Sequence, residues 1–428
     1  MKLSQIKRTL VDGRTKGMPP ALAATPLEAI GKQGWNLLRE DLPLPLAVLK
    51  RSALERNGHF MREFLARTGA VIAPHGKTTM SPQLFSRQLA DGAWAITVAT
   101  VQQMKVARDF GCDRIVLANQ LVGRQAVAYV LDALKSDPRL DFYCLVDSPE
   151  NVAYLSAAAA AADLRRPLKL LLEGGFAGGR TGCRDLDSAL AVARAVKAAA
   201  PHLALVGIEG FEGLLKGEAV GEFLDFLLAL AKACDEADLF APQSEVGEVI
   251  LSAGGSAYYD IVVDRFKRTN LRRATRVLTR SGCYLTHDAK LYDEYFKEIL
   301  KRSPDAAAIA EGLVPALEVW AYVQSRPERE KAILTVGRRD ISFDVHLPMP
   351  QLWARPGGAR PQPLPEGHTV TGLNDQHCHL AIPAASPLQV GDLVSLGISH
   401  PCTTFDKWQV LCVVDDDYTV VDAIKTFF

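Results

Sequence analysis

Between residues 44 and 252 the chain repeats one pattern, a short apolar run followed by an amphipathic segment of helical period. The apolar runs cover residues 44–50, 71–77, 94–99, 114–120, 142–147, 168–174, 203–209 and 244–252. The helical segments between them include 52–67, 81–91, 101–110, 122–136 and 186–199, and 157–162 is an alanine-rich stretch of helix. A run that is apolar at every position suits a strand covered on both faces, and an amphipathic helix is its crossover. Eight alternations in roughly 230 residues predict a (β/α)8 barrel rather than an open sheet.

The texture changes near residue 275. Strand-like segments at 276–278, 317–323, 332–336, 368–373, 393–399 and 408–414 are separated by Pro- and Gly-rich turns such as Arg355-Pro356-Gly357-Gly358. This predicts a mostly antiparallel β domain, interrupted by one helix over 288–301. The expected division is a barrel over 36–275, a β domain over 276–428, and an extension over 1–35 that packs on the β domain.

Composition narrows the function classes. With 49 basic and 49 acidic residues the formal charge is zero, which argues against a polyanionic partner such as nucleic acid. No apolar stretch is long enough to cross a bilayer. The charged start, Met1-Lys2-Leu3-Ser4-Gln5-Ile6, lacks the apolar core of a secretory signal. Eight scattered cysteines without a CxxC pair read as reduced core residues, so a cytoplasmic enzyme is expected.

Active sites of such barrels lie at the C-terminal ends of the strands. Lys77 ends the apolar run Val71-Ile72-Ala73-Pro74-His75-Gly76-Lys77. A lysine desolvated there becomes a nucleophile able to hold a carbonyl cofactor; otherwise it reaches from the strand end into water. Ser252-Ala253-Gly254-Gly255-Ser256 follows the last run and reads as a phosphate cradle or as a plain glycine turn. Arg180 is a permanent cation that could hold an anionic oxygen or pair with Asp185 or Asp187. His400-Pro401-Cys402 follows a strand. In an extended segment positions i and i+2 share a face, giving an imidazole–thiol half-site that favours zinc, or two half-buried polar residues on an edge strand. His377 and His379 form a second i, i+2 pair, open to a rival metal site, to supporting donors or to a polar turn, with supporting roles expected.

Together these segments resemble the D-serine dehydratase and D-threonine aldolase family, over nearly the whole chain. Pro74-His75-Gly76-Lys77-Thr78 resembles the family's lysine motif. Gly179-Arg180-Thr181-Gly182 and Phe211-Glu212-Gly213 resemble two further motifs, with Phe211 where the family usually has tyrosine. Ser252–Ser256 resembles its phosphate loop, Ser281-Gly282-Cys283-Tyr284 its PGxY, and Ser399-His400-Pro401-Cys402 its metal ligands. Thr79-Met80-Ser81 departs from the usual His-Lys after the lysine motif.

The resemblance implies an alanine-racemase-like barrel with pyridoxal phosphate held by Lys77. His75, Arg180, Glu212, Gly254, Gly255, Ser256 and Tyr284 would serve the cofactor, and His400 and Cys402 would bind zinc, with manganese the alternative. It implies dehydration of D-serine, or a related 3-hydroxy-D-amino acid, to a 2-oxo acid and ammonia by a homodimer. Retro-aldol cleavage to glycine and an aldehyde, or racemisation, are the other reactions open to this scaffold.

Overall fold

A computed structural model describes the chain except residues 243–246 and 359. Eight strands form one parallel sheet: Val71–Ile72, Ile96–Val98, Arg114–Gln120, Asp141–Val146, Leu168–Gly174, Leu203–Gly210, Val249–Ser252 and Thr275–Thr279. The sheet closes on itself. The Trp94 amide donates to the Ile72 carbonyl at 2.8 Å, the Thr97 amide donates to Pro74 at 3.0 Å, and His75 bridges Thr97. The predicted barrel is therefore present.

Its membership differs by one strand at each end of the expected list. Leu46–Lys50 pairs antiparallel with the strand Leu317–Glu328 and parallel with Val410–Val414, so it belongs to the β domain. The eighth barrel strand is Thr275–Thr279, which lies between Val249–Ser252 and Val71–Ile72. A division at 275/276 thus cuts through a barrel strand. The physical reason is that full burial marks residues 46–49 as interior but does not say which sheet they join. Of the expected strand 244–252, residues 244–246 lie outside the described residues, and the observed strand starts at Val249.

Alternation along the strands sorts the core. Ala73, Val116, Tyr143, Leu145, Leu171, Ala204, Val206, Ile250 and Leu278 pack together inside the barrel. Their chain neighbours Ile115, Leu117, Cys144, Val146, Leu170 and Leu172 join the larger core beneath the helices. The helices follow local signals. Thr100, Ser148 and Asp185 cap their helices with side-chain oxygens. Gly69 ends Arg51–Thr68 with a positive φ of 66°.

The second domain is built on Leu317–Glu328. Its first half pairs with Leu46–Lys50 and Leu393–Gly397, and its second half pairs with Lys331–Leu334. All its pairings except that of Val410–Val414 with Leu46–Lys50 are antiparallel. Residues of the N-terminal extension touch this domain: the Val420 amide donates to the Trp35 carbonyl at 2.8 Å, and Lys16 pairs with Asp340 at 2.7 Å. Among the described residues no helix is long and apolar enough to cross a membrane.

Helix Arg51–Thr68 carries the chain from the β domain into the barrel. Its Asn57 is fully buried, donates to the carbonyls of Leu285 (2.9 Å) and Val314 (2.8 Å), and accepts from the Val314 amide at 2.8 Å. One amide side chain thereby satisfies three backbone groups that water does not reach. Each group left unpaired costs about 1–3 kcal/mol. Asn57→Leu should therefore lower stability by about 3 kcal/mol or more, seen as a shifted urea midpoint, whereas an exposed change such as Lys105→Gln should leave it in place.

Candidate active site at the barrel mouth

The strand ends open into a cavity of about 180 Å³ lined by His75, Lys77, Arg180, Phe211, Gly255, Ser256, Arg280, Cys283, Tyr292, His400 and Cys402, among others. The two strongest sequence signals, Lys77 from the barrel and His400-x-Cys402 from the β domain, therefore meet in one place.

Lys77 does not sit on a strand. The strand ends at Ile72, and Gly76–Thr78 is a turn of 3-10 helix. Gly76 is needed there because a Cβ would lie 2.9 Å from the Phe85 ring and 3.0 Å from Ile96. The Lys77 side chain is exposed at the cavity mouth, so the desolvation expected for it is not found in this chain. His75 beside it stays neutral. Burial, then the positive charges of Lys77, Arg280 and Arg180, hold its imidazole well below the usual range. Its Nδ1 is buried and has no hydrogen-bond partner among the described residues.

Arg180 pairs with neither Asp185 nor Asp187. Its guanidinium lies 4.2 Å from the centre of the Phe211 ring, and Asp185 instead caps the helix Leu186–Ala198. The phenylalanine that departs from the family pattern thus provides a flat face for the arginine.

The glycine loop differs from a free anion cradle. Glu212 is fully buried, and its carboxylate accepts the amides of Gly254 (3.1 Å) and Gly255 (2.9 Å). Those two amides are already committed to an anion of the protein itself, so Glu212 shapes the loop and does not line the cavity. Gly254 is glycine of necessity, with φ at 90°. Gly255 and Ser256 do reach the cavity. They lead to helix Tyr259–Lys267, whose first turn has no side-chain cap, leaving amide donors for an anion. Tyr284 is not brought to the cavity. Its phenol is turned to Gln88 near Asp91, and burial pushes it above its usual range.

His400-Pro401-Cys402 is not extended. Pro401 has helical angles, φ −57° and ψ −35°, and Cys402 begins the short helix Cys402–Phe405. The pair nevertheless lines the cavity together because a turn, like a strand, can bring i and i+2 to one side. His400 Nδ1 bonds Asp344 Oδ2 at 2.6 Å, and Thr403 donates to Asp344 Oδ1 at 2.7 Å. Asp344 thus fixes the ring and leaves Nε2 for another partner, the arrangement usual for a metal-binding histidine. A hydrogen bond to Cys402 raises His400 to about 9, with Asp344 adding to it against the opposing effect of burial. Its contacts with Cys283, His400 and Thr78 hold Cys402 well below the usual thiol range against the opposing effect of burial. Cys402 Sγ lies 3.5 Å from Thr78 Oγ1, next in sequence to Lys77. His377 and His379 take no part; His379 bonds Asn374 at 2.7 Å on the surface. Among the described residues no three metal-binding side chains already converge.

Sequence reasoning missed Arg280, Asp344, Cys283 and Tyr292. Arg280 was hidden by assigning its strand to the other domain, and Cys283 lay inside a recognised motif without a role. Asp344 and Tyr292 carry no local signal.

The residues suit pyridoxal phosphate. Lysine, two arginines, an orphaned imidazole nitrogen and the glycine-loop residues Gly255 and Ser256 surround one cavity, which matches an aldehyde, a phenolate and a phosphate on one small ring. The comparisons agree. Residues 49–242 match the family model described as "Alanine racemase, N-terminal domain", and residues 316–414 match the one described as "Putative serine dehydratase domain". The chain is 25% identical over 387 residues to a D-threonine aldolase of Arthrobacter sp, covering 90% of this chain and 91% of that one. Its fold is that of D-threonine aldolase from Filomicrobium marinum, with TM-score 0.71 at 21% identity over 92% of this chain and 97% of the other. It is also that of D-threo-3-hydroxyaspartate dehydratase from Delftia sp. HT23, with TM-score 0.67 at 21% identity over 92% and 99%. With both domain types present in order and the lysine, glycine-loop and His-x-Cys segments gathered at one mouth, the chain belongs to the alanine-racemase-like, fold type III family of pyridoxal-phosphate enzymes.

Proposed function

We propose that the protein is a lyase that dehydrates D-serine, or a related 3-hydroxy-D-amino acid, to a 2-oxo acid and ammonia. One observation carries this reading: Lys77 and the His400–Cys402 pair line the same cavity. In this reading Lys77 is the base for the Cα proton and stands beside a soft donor pair suited to a metal at the β-hydroxyl. Bound there, pyridoxal phosphate supplies the electron sink that acidifies Cα–H, and a divalent metal supplies the Lewis acid for the departing hydroxide.

The chain's own groups have distinct tasks. Lys77 Nζ holds the cofactor and then takes the Cα proton. Arg180, steadied on Phe211, holds the phenolic oxygen. Gly255 and Ser256, in a loop shaped by Glu212, meet the phosphate. His75 stays uncharged beside three cations. His400 and Cys402 hold the metal, and the thiol favours zinc over manganese. The fold's relative D-threo-3-hydroxyaspartate dehydratase has been solved as a cysteine-to-alanine mutant in a metal-free form, which supports a metal role for such a cysteine. Eight unpaired cysteines support a cytoplasmic location. The exposed apolar residues Phe343, Val345 and Leu347 support a homodimer in which a second copy covers them.

Retro-aldol cleavage is the second reading, favoured by the 25% identity to a D-threonine aldolase. The two part at the product. A panel of D-serine, D-threonine and D-threo-3-hydroxyaspartate should yield 2-oxo acids and no glycine. Glycine with an aldehyde as the main products would establish the aldolase instead.

Three further outcomes are expected. Borohydride should fix the cofactor to Lys77, read by peptide mapping; labelling of another lysine overturns the assignment. Glu212→Ala should weaken cofactor binding about tenfold or more, because the two glycine amides lose bonds to a charged acceptor worth about 1.5–3 kcal/mol each. Unchanged affinity in a folded variant would reduce the loop to a turn. Chelation should abolish 2-oxo acid release from D-serine while exchange of its α-proton with solvent deuterium continues, since Lys77 serves that step. Full elimination without metal would refute the metal's role.

A further inference from the structure

The proposed function leaves one buried thiol unused at the centre of the site. Cys283 follows the last barrel strand and is 5% exposed. Its Sγ lies 4.0 Å from Cys402 Sγ and 3.8 Å from Thr78 Oγ1, which in turn is 3.5 Å from Cys402 Sγ. The backbone is shaped to deliver it. Gly282 passes so close to the lysine turn that a Cβ would stand 2.6 Å from the His75 carbonyl oxygen and 2.8 Å from Thr78 Oγ1. Only a glycine permits that approach, and the next residue then turns its thiol into the cavity.

The separation has a chemical meaning. A disulfide needs sulfurs about 2.05 Å apart, so this pair is two free thiols. Two thiolates bound to one tetrahedral zinc at about 2.3 Å stand roughly 3.8 Å apart. Cys402 is the common neighbour: its Sγ lies 4.0 Å from that of Cys283, and His400, two positions before it, lines the same cavity.

We infer that Cys283 is a third protein ligand of the metal, making a two-thiolate, one-imidazole site whose fourth position is open to the substrate's hydroxyl. This rests on the reading that His400 and Cys402 bind metal, and adds the ligand from the barrel. The three donors do not converge without the ion among the described residues, so the ion has to draw the side chains together, with Asp344 on Nδ1 leaving Nε2 to face it. Two thiolates balance the charge of a divalent ion and select zinc strongly against magnesium and manganese. Tyr292 lines the cavity together with Cys283. Because Cys283 follows a barrel strand and His400 and Cys402 come from the β domain, the ion also ties the two domains together across the mouth.

The test is a count of sulfurs. The full-length enzyme, carrying its cofactor, is stripped of metal under reducing conditions and loaded with one equivalent of zinc. X-ray absorption at the zinc edge should then show two sulfur neighbours at about 2.3 Å. Cys283→Ser should show one, with zinc affinity lowered about tenfold or more in competition with a chelator, as expected for a lost ligand. One sulfur in the unaltered enzyme overturns the inference and leaves the two-ligand site standing. No zinc binding, or binding that Cys402→Ser leaves unchanged, overturns the underlying metal reading as well. If Cys283→Ser does not fold, the count in the unaltered enzyme decides alone.

Discussion

A buried ion pair holds the strand ends in register beneath the site. Arg280 is 7% exposed and Glu209 1%. The guanidinium pairs with the Glu209 carboxylate, donates to the Gly210 carbonyl at 3.2 Å and to Ser252 Oγ at 3.1 Å, while its own amide donates to Gly254 at 3.0 Å. One side chain therefore ties the ends of Leu203–Gly210 and Val249–Ser252 to its own strand. A buried charge is tolerated only when paired, and removing one partner leaves the other stranded. Burial pushes Glu209 up to about 8 against the pull of Arg280. The glycine loop is bonded to this cross-tie through Gly254, and Arg280 itself lines the cavity.

Above it, the cavity is assembled from segments that meet only because the chain leaves and re-enters the second domain. The chain contributes Leu46–Lys50 to the β domain, passes through helix Arg51–Thr68 into the barrel, and returns after Arg280. The return loop carries Cys283 past Thr78, and the turn Pro401–Phe405 comes down from the β domain to meet both. Asn57 holds the helix to the return segment through Leu285 and Val314. The lysine and the His-Cys pair are thus set by opposite sides of one domain seam.

The two anion-handling devices at the mouth are complementary. Glu212 occupies the amides of Gly254 and Gly255 and so fixes the loop, while Ser256 faces the cavity. Arg180 has no carboxylate partner within salt-bridge distance among the described residues and rests on the Phe211 face, ready for an external oxygen anion. Internal charges are paired where rigidity matters, and positive charge is left free where a ligand is to bind.

The amino-acid sequence by itself determined the alternating barrel, the β domain after it, and the residues whose chemistry is local: Lys77 in its motif, the glycines, and His400-x-Cys402. Periodicity and motif spacing report local conformation, and local conformation was enough for these. It could not determine which sheet receives the strand Leu46–Lys50, because burial looks the same in either. It could not show that Glu212 fills the glycine amides, that Tyr284 turns to Gln88, or that Pro401 bends the His400–Cys402 pair into a turn. Nor could it show that Asp344, Cys283 and Arg280 belong to the site. Apart from the local bend at Pro401, each of those facts is a contact between residues tens to hundreds of positions apart. Only the closure of the barrel and the docking of the second domain across its mouth bring them within reach.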